Sequence, residues 1–225
     1  PEPVQRVRGQ MLVGLKRERE QPGSIASRAF WTSAYPDHPY GRRGSGTPES
    51  VATLTADDLK QAVGQRFSRA NLLVGVVGDI TPEELAPALD RIFGTLPATA
   101  SLPEIPEIQP AFAGDLMVID RTMPQSTVLF GQRGLKRDDP DYFAAAILME
   151  IMGGGFGSRL TEEIREKRGL AYSVSAGLTP MDHSAAIVGS GGTANARVAE
   201  SIALVRAEWQ RMAGDGPTEA EVADA

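Results

Sequence analysis

Arg165 and Tyr172 stand seven positions apart in a run that begins Gly153-Gly154-Gly155-Phe156-Gly157-Ser158-Arg159-Leu160 and ends Gly169-Leu170-Ala171-Tyr172-Ser173-Val174. The glycines open a short charged helix, Gly169 stops it, and an alternating strand follows at once. A helix-to-strand turn of this kind can aim both side chains into one cleft. Arginine supplies a rigid fork of N–H donors. Tyrosine supplies a phenolic hydroxyl that can stabilise an oxyanion as charge develops. Two such donors suit the carbonyl oxygens of a bound peptide. A plainer reading stands beside this one. Arg165 is then a solvated helix residue, and Tyr172, on the strand face of Leu170 and Val174, is a core tyrosine with its hydroxyl at the rim.

Other chemistries find less support. The Gly153-Gly154-Gly155 run lacks the Gly-Lys-Ser/Thr ending of a phosphate-binding loop and follows a helix rather than a strand. It suits glycines that let backbone approach backbone, or that leave a mobile lip beside a cleft. The two histidines, His38 and His183, fall in turns, and neither has a histidine four residues away. Asp37-His38-Pro39-Tyr40 reads as turn structure. With no cysteine, disulfides, thiolate nucleophiles and Cys-based zinc sites are excluded. No Gly-x-Ser-x-Gly elbow occurs. Asp138, Asp139 and Asp141 read as acids at a helix start.

The elements that must position the pair follow from periodicity and capping. The 225 residues are 41% hydrophobic, enough for a substantial core. A net charge of −6 argues against a nucleic-acid binder. No apolar run reaches the roughly 18 residues of a membrane span. Val4, Val7, Met11 and Leu15 mark a helix over 3–20, and Ser24 is the expected N-cap of a helix to Ala34. Thr55 opens a helix to about Ser68. Leu72 to Gly78 reads as a buried strand. Thr81-Pro82-Glu83-Glu84 is a capping box, and Pro87 is expected to strain or kink the helix it begins. Strands are expected near 115–121 and 125–133, then a buried helix from Asp138–Asp141 through Met152. After the charged helix at 158–168, strands at 170–179 and 184–192 flank a turn at Pro180–His183. Val198, Ile202, Val205, Trp209 and Met212 stripe a long helix ended by Gly214. The pattern is α+β, with helices layered on a mainly antiparallel sheet.

Pro97, Pro103, Pro106 and Pro110 give residues 96–113 the composition of a linker, placed at 99–113. The expected domains are therefore 1–98 and 114–225. The sequence starts Pro1-Glu2-Pro3 and stops at Asp224-Ala225, just past a helix start. It reads as the middle of a longer protein, truncated at both ends.

The glycine run, Ser158-Arg159-Leu160, Arg165 and Gly169-Leu170-Ala171-Tyr172-Ser173-Val174 resemble the C-terminal-domain signature of the pitrilysin/insulinase zinc metallopeptidases. These are the inverted H-x-x-E-H enzymes, which include the mitochondrial processing peptidases. His38-Pro39-Tyr40-Gly41, Gly46-Thr47-Pro48-Glu49-Ser50, Leu54-Thr55-x-x-Asp58-Leu59 and Asn71-Leu72-Leu73-Val74 up to Gly78-Asp79 resemble the second half of that family's N-terminal domain. Pro124-Gln125-Ser126 resembles the start of its C-terminal domain. The resemblance implies a repeat of two α+β domains, one holding zinc and the other reaching over to hold the peptide. By position, the holding residues are Arg165 and Tyr172, with Gly153, Gly154, Gly155 and Phe156 as a substrate-binding lip.

Two departures shape the functional expectation. The H-x-x-E-H motif does not occur in these residues. The helix matching 3–20, where the family carries its third ligand, has no carboxylate between Arg6 and Arg17. The expected protein is a zinc-less, substrate-holding subunit of a metalloendopeptidase, inactive alone. Its partners would be a zinc-bearing paralogue in a heterodimer and a peptide substrate. No cofactor is expected in this segment. Zinc belongs to the partner or to a segment upstream. One alternative is a non-catalytic structural or peptide-binding relative. Another is a self-sufficient zinc peptidase whose motif lies upstream. The compartment, bacterial periplasm or cytoplasm, stays open.

Overall fold

The computed structural model describes residues 2–225, which fall into two compact units. One contains residues up to 15 together with 45–105. The other contains 16–44 together with 106–225. Helix α1, Glu2–Glu18, starts in the first and ends in the second. The chain passes from the first to the second at 105/106, inside the stretch 99–113 read as a linker, and residues 16–44 group with the C-terminal part of the chain.

The first unit also holds α3 (Pro48–Thr53), α4 (Ala56–Arg66) and α5 (Pro82–Phe93). Each begins at a reciprocal cap. Thr47, Thr55 and Thr81 accept the N–H three residues on, while Ser50, Asp58 and Glu84 reach back. Pro87 lies inside α5 without ending it. The expected strand at 72–78 does not form. That stretch is unpaired, with Leu73 and Val77 fully exposed to solvent. A strand is held by hydrogen bonds to a neighbour, and no described residue supplies one.

The second unit begins with the end of α1 and with α2, Pro22–Ala34. Its N-cap is Gln21 rather than the expected Ser24, whose hydroxyl instead donates to the Gln21 side chain at 3.4 Å. Strands β1 (Gln125–Arg133), β2 (Ala171–Met181) and β3 (Ser184–Ala194) form an antiparallel sheet in the order β1-β3-β2. Asp182 and His183 make the tight turn between β2 and β3. Residues 115–121 are not a strand, and Leu116, Met117 and Val118 stay exposed. Helix α6, Tyr142–Met149, widens into a π turn at Glu150–Gly154. Helix α7, Val198–Asp215, runs past the expected stop at Gly214 and ends at Gly216, whose φ of 73° suits glycine alone. Helix α8 follows, Glu219–Asp224.

Met149, Met152, Leu160, Ile164, Leu170, Val174 and Ala176 form the core of this unit, with Phe130, Val205 and Trp209 packed against it. Gly189 on β3 makes room for Phe130, since a Cβ there would lie 2.1 Å from the ring. Phe130 then meets Trp209 edge to face, with centroids 5.5 Å apart. Helices on a small antiparallel sheet give the α+β class.

The proline-rich stretch is not a free tether. In the first unit, the N–H groups of Arg69 and Ala70 donate to the carbonyls of Pro97 and Ala98. In the second, the N–H of Ala111 donates to Ala34 at 2.7 Å, and the N–H of Ile108 to His183 at 3.0 Å. His38 is buried and accepts the Tyr40 N–H on Nδ1, so its Nε2–H donates to the Pro106 carbonyl at 3.1 Å. Lys136, with His183 behind it, holds the Glu107 carboxyl below the usual carboxylate range.

Candidate functional site

The turn carrying Arg165 and Tyr172 is built from bonds that sequence periodicity does not show. After Ser158, the chain makes a π turn at Thr161–Glu166 instead of the expected regular helix to 168. The N–H of Lys167 reaches the Glu162 carbonyl at 2.9 Å, one residue wider than an α-helical bond. Gly169, at φ 58°, then reverses the chain. Its N–H donates to Arg165 at 2.9 Å and that of Leu170 to Ile164 at 2.8 Å, a glycine-capped stop of nested bonds. Lys167 and Arg168 close on Glu163 and hold its carboxyl down to about 2.

Tyr172 then occupies a β-bulge. Ala171 pairs with Thr193 and Ser173 with the adjacent Gly192, leaving Tyr172 as the extra residue. Bulges break the two-residue alternation and re-aim a side chain. Leu170 and Val174 are buried while Tyr172 between them is 86% exposed. The core-tyrosine reading of the sequence is therefore incorrect, because alternation assumed an unbroken ladder.

Arg165 is also partly exposed. Its guanidinium lies over the Phe156 ring, 5.4 Å from the centroid, and its Nε is 3.5 Å from the Glu166 carboxylate. Among the described residues no hydrogen bond, ion pair or ring contact joins Arg165 to Tyr172 directly. The structure brings Arg165 to Phe156.

The glycine lip stands on fixed feet. Gly153 is buried against β2, where a Cβ would sit 2.4 Å from the Ala176 nitrogen. Glycine here does let backbone approach backbone. The Glu150 carboxylate folds over Gly154, within 2.1 Å of where its Cβ would be. At the far foot, the buried Ser158 hydroxyl donates to the Gly155 carbonyl at 2.7 Å. Next to it Arg159, 6% exposed, forks onto Glu221 at 2.6 and 2.8 Å and also donates to the Gly216 carbonyl at 2.9 Å. This arginine holds the Glu221 carboxyl at about 2. The sequence flagged Arg159 only as part of a signature. Its anchoring role had one legible half, the Thr218-x-x-Glu221 cap that opens α8. Between these feet, Phe156 stands 82% exposed.

A separate, mostly apolar groove of about 1010 Å³ runs in the second unit past Phe30, Val128, Ile202 and Trp209. It includes Ile164 and Ala171 but none of Arg165, Tyr172 or the lip. For a metal, the described residues offer no group of three or more His, Cys, Asp or Glu able to hold one. His38 has both ring nitrogens engaged, and His183 contacts Glu107. The side chains of the described residues do not make a zinc site. Among the described residues no helix is long and apolar enough to cross a membrane.

Residues 53–225 match the family model described as the peptidase M16 inactive domain. A protein of Streptomyces coelicolor, named an uncharacterized zinc protease, is 29% identical over 96% of this chain and 48% of its own length. One of the same description from Mycobacterium leprae is 30% identical over 97% of this chain and 50% of its own. A Helicobacter pylori protein named non-peptidase homolog YmxG is 28% identical over 99% and 51%. The chain thus spans about half the length of the curated relatives it matches. Among solved structures, a peptidase M16 inactive domain from Pseudomonas fluorescens superposes with a TM-score of 0.87 at 28% identity, covering 100% of this chain and 54% of that one. The Escherichia coli periplasmic protease PqqL shares the fold at a TM-score of 0.71 and 18% identity, over 97% of this chain and 24% of its own. On this matching family model, the chain belongs to the peptidase M16 family, the pitrilysin/insulinase-type metallopeptidases, and carries that family's inactive domain.

Proposed function

We propose that this chain is the substrate-holding, zinc-less part of a zinc metalloendopeptidase, working beside a zinc-bearing paralogous subunit. Residues 1–98 would be the second half of one peptidase-like domain and 114–225 the first part of the next. Arg165 forks onto a carbonyl of the bound peptide, and the Tyr172 hydroxyl donates to the oxygen that gains charge as the scissile carbonyl is attacked. Gly153, Gly154, Gly155 and Phe156 line the path of the peptide. The cleavage chemistry belongs to the partner, a reading supported by the described residues, which offer no group of three or more metal-ligating side chains.

The observation that carries this reading is the bulge at Tyr172. It leaves the tyrosine 86% exposed, on the strand that follows directly from the turn carrying Arg165. The test is reconstitution of the intact protein with a zinc-bearing paralogue. Tyr172→Phe should lower turnover ~10²–10³-fold, the usual effect of losing one oxyanion donor, without disturbing assembly. Unchanged turnover in that variant would overturn the proposal.

A second reading has an observation of its own. The relative named a non-peptidase homolog favours a structural or peptide-binding protein that never takes part in cleavage. Co-purification with an unrelated complex, and no peptide cleavage in any pairing, would select it.

A further inference from the structure

We propose that Phe156 is a specificity-determining residue, whose ring receives an apolar side chain of the peptide that Arg165 holds by its backbone. The inference rests on the peptide-holding role proposed above and adds the chemical class of side chain that the site prefers.

A single exposed apolar residue is ordinary on a protein surface. Phe156 differs in how it is mounted. It stands on the short arch Gly154–Gly157, whose two feet are both fixed. Gly153 is pressed onto the Ala176 backbone at one end, and Ser158 and Arg159 are buried at the other. The Ser158 hydroxyl also ties the Gly155 carbonyl to the helical turn. An arch this short and this well anchored holds its apex residue in a restricted volume. The ring it presents adds nothing to the core, being 82% exposed.

The guanidinium of Arg165 lies over that ring, 5.4 Å from its centroid. A cation over an aromatic face is attracted by the ring quadrupole and confined in position. Arg165 has a second, looser neighbour in Glu166 at 3.5 Å, which leaves its N–H fork available to an incoming carbonyl. Most of the Phe156 surface meanwhile faces solvent. A peptide whose carbonyl is taken by the fork lays a neighbouring side chain along the exposed ring. An aromatic or branched aliphatic side chain removes apolar surface from water there. Alanine removes little, and aspartate lays no apolar surface on the ring.

Fluorescence anisotropy on the intact protein tests this with one labelled synthetic peptide made in versions carrying Phe, Leu, Ala or Asp at a single position. The wild-type protein should bind the Phe and Leu peptides about tenfold more tightly than the Ala peptide, as burying part of a ring against an apolar partner implies. Phe156→Ala should erase that preference, so that the Phe, Leu and Ala peptides bind alike. Phe156→Leu should retain part of it. Arg165→Ala should weaken all versions alike. Melting temperatures should match wild type for both Phe156 variants, since the ring is solvent-facing. A preference that survives in Phe156→Ala overturns this inference and leaves the peptide-holding role standing. Failure of the wild-type protein to bind any version overturns both.

Discussion

The hydroxyl of Thr193 donates to the carbonyl of Leu170 at 2.6 Å, in the buried angle between β3 and the chain entering β2. Thr193 is also the ladder partner of Ala171, directly before the bulged Tyr172. One side chain thus fixes where the ladder starts and where it slips. Ser201 on α7 completes the arrangement by donating to the Thr193 hydroxyl at 3.3 Å.

Thr193→Val keeps the shape and deletes that donor. The Leu170 carbonyl then stays buried without its partner, an arrangement that destabilises by about 1–3 kcal/mol. Denaturant unfolding should show this loss. Hydrogen exchange should be faster at the amides of residues 171–173 than elsewhere in the sheet. Uniform protection across β2 would argue that the bulge is held by something else.

Tyr172→Phe and Tyr172→Ala should be close to neutral in stability, because the ring is 86% exposed. Thermal unfolding within a degree or two of wild type is expected for both. A loss of several degrees would mean that the ring packs in the full protein, and would return Tyr172 to the role of a core residue.

Gly153→Ala should be harmful and Gly155→Ala mild. The added methyl at 153 meets the Ala176 backbone nitrogen at 2.4 Å, so one of the two backbones must move. Overpacking of this kind typically costs about 1–3 kcal/mol. At 155 the nearest atom is a Glu150 carboxylate oxygen at 3.4 Å, and φ is an extended −154°. Calorimetry of the two variants checks the contrast.

Acid should weaken the far foot of the lip through Glu221. Its carboxyl lies at about 2, against an ordinary 4.5, because Arg159 donates to the charged form. A depressed carboxyl gives stability that is present above the unfolded value and is lost as pH falls through the folded one. The loss should therefore develop between about 4.5 and about 2. Glu221→Gln should melt lower than wild type at neutral pH and show a shallower fall across that window. Parallel acid profiles would remove Arg159–Glu221 as the tie between the lip and α8.

The sequence alone determined the elements whose signals are local. Thr55 with Asp58 and Thr81 with Glu84 announce helix starts, because a cap is satisfied within one turn of chain. The helix-glycine-strand order around Gly169, the β2–β3 hairpin, the stripe on α7, the α+β class and the family resemblance were legible for the same reason. The segments 72–78 and 115–121 carry strand-like composition yet stay unpaired, since pairing belongs to a neighbour and not to the segment. Only the tertiary structure decided that Tyr172 leaves the core. The extra residue of a bulge is defined against the opposite strand, between Thr193 and Gly192, and alternation within β2 cannot reveal it. The same holds for Arg159, whose partner Glu221 lies far along the chain, and for the contact of Arg165 with Phe156, a lip residue that the resemblance named without its neighbour.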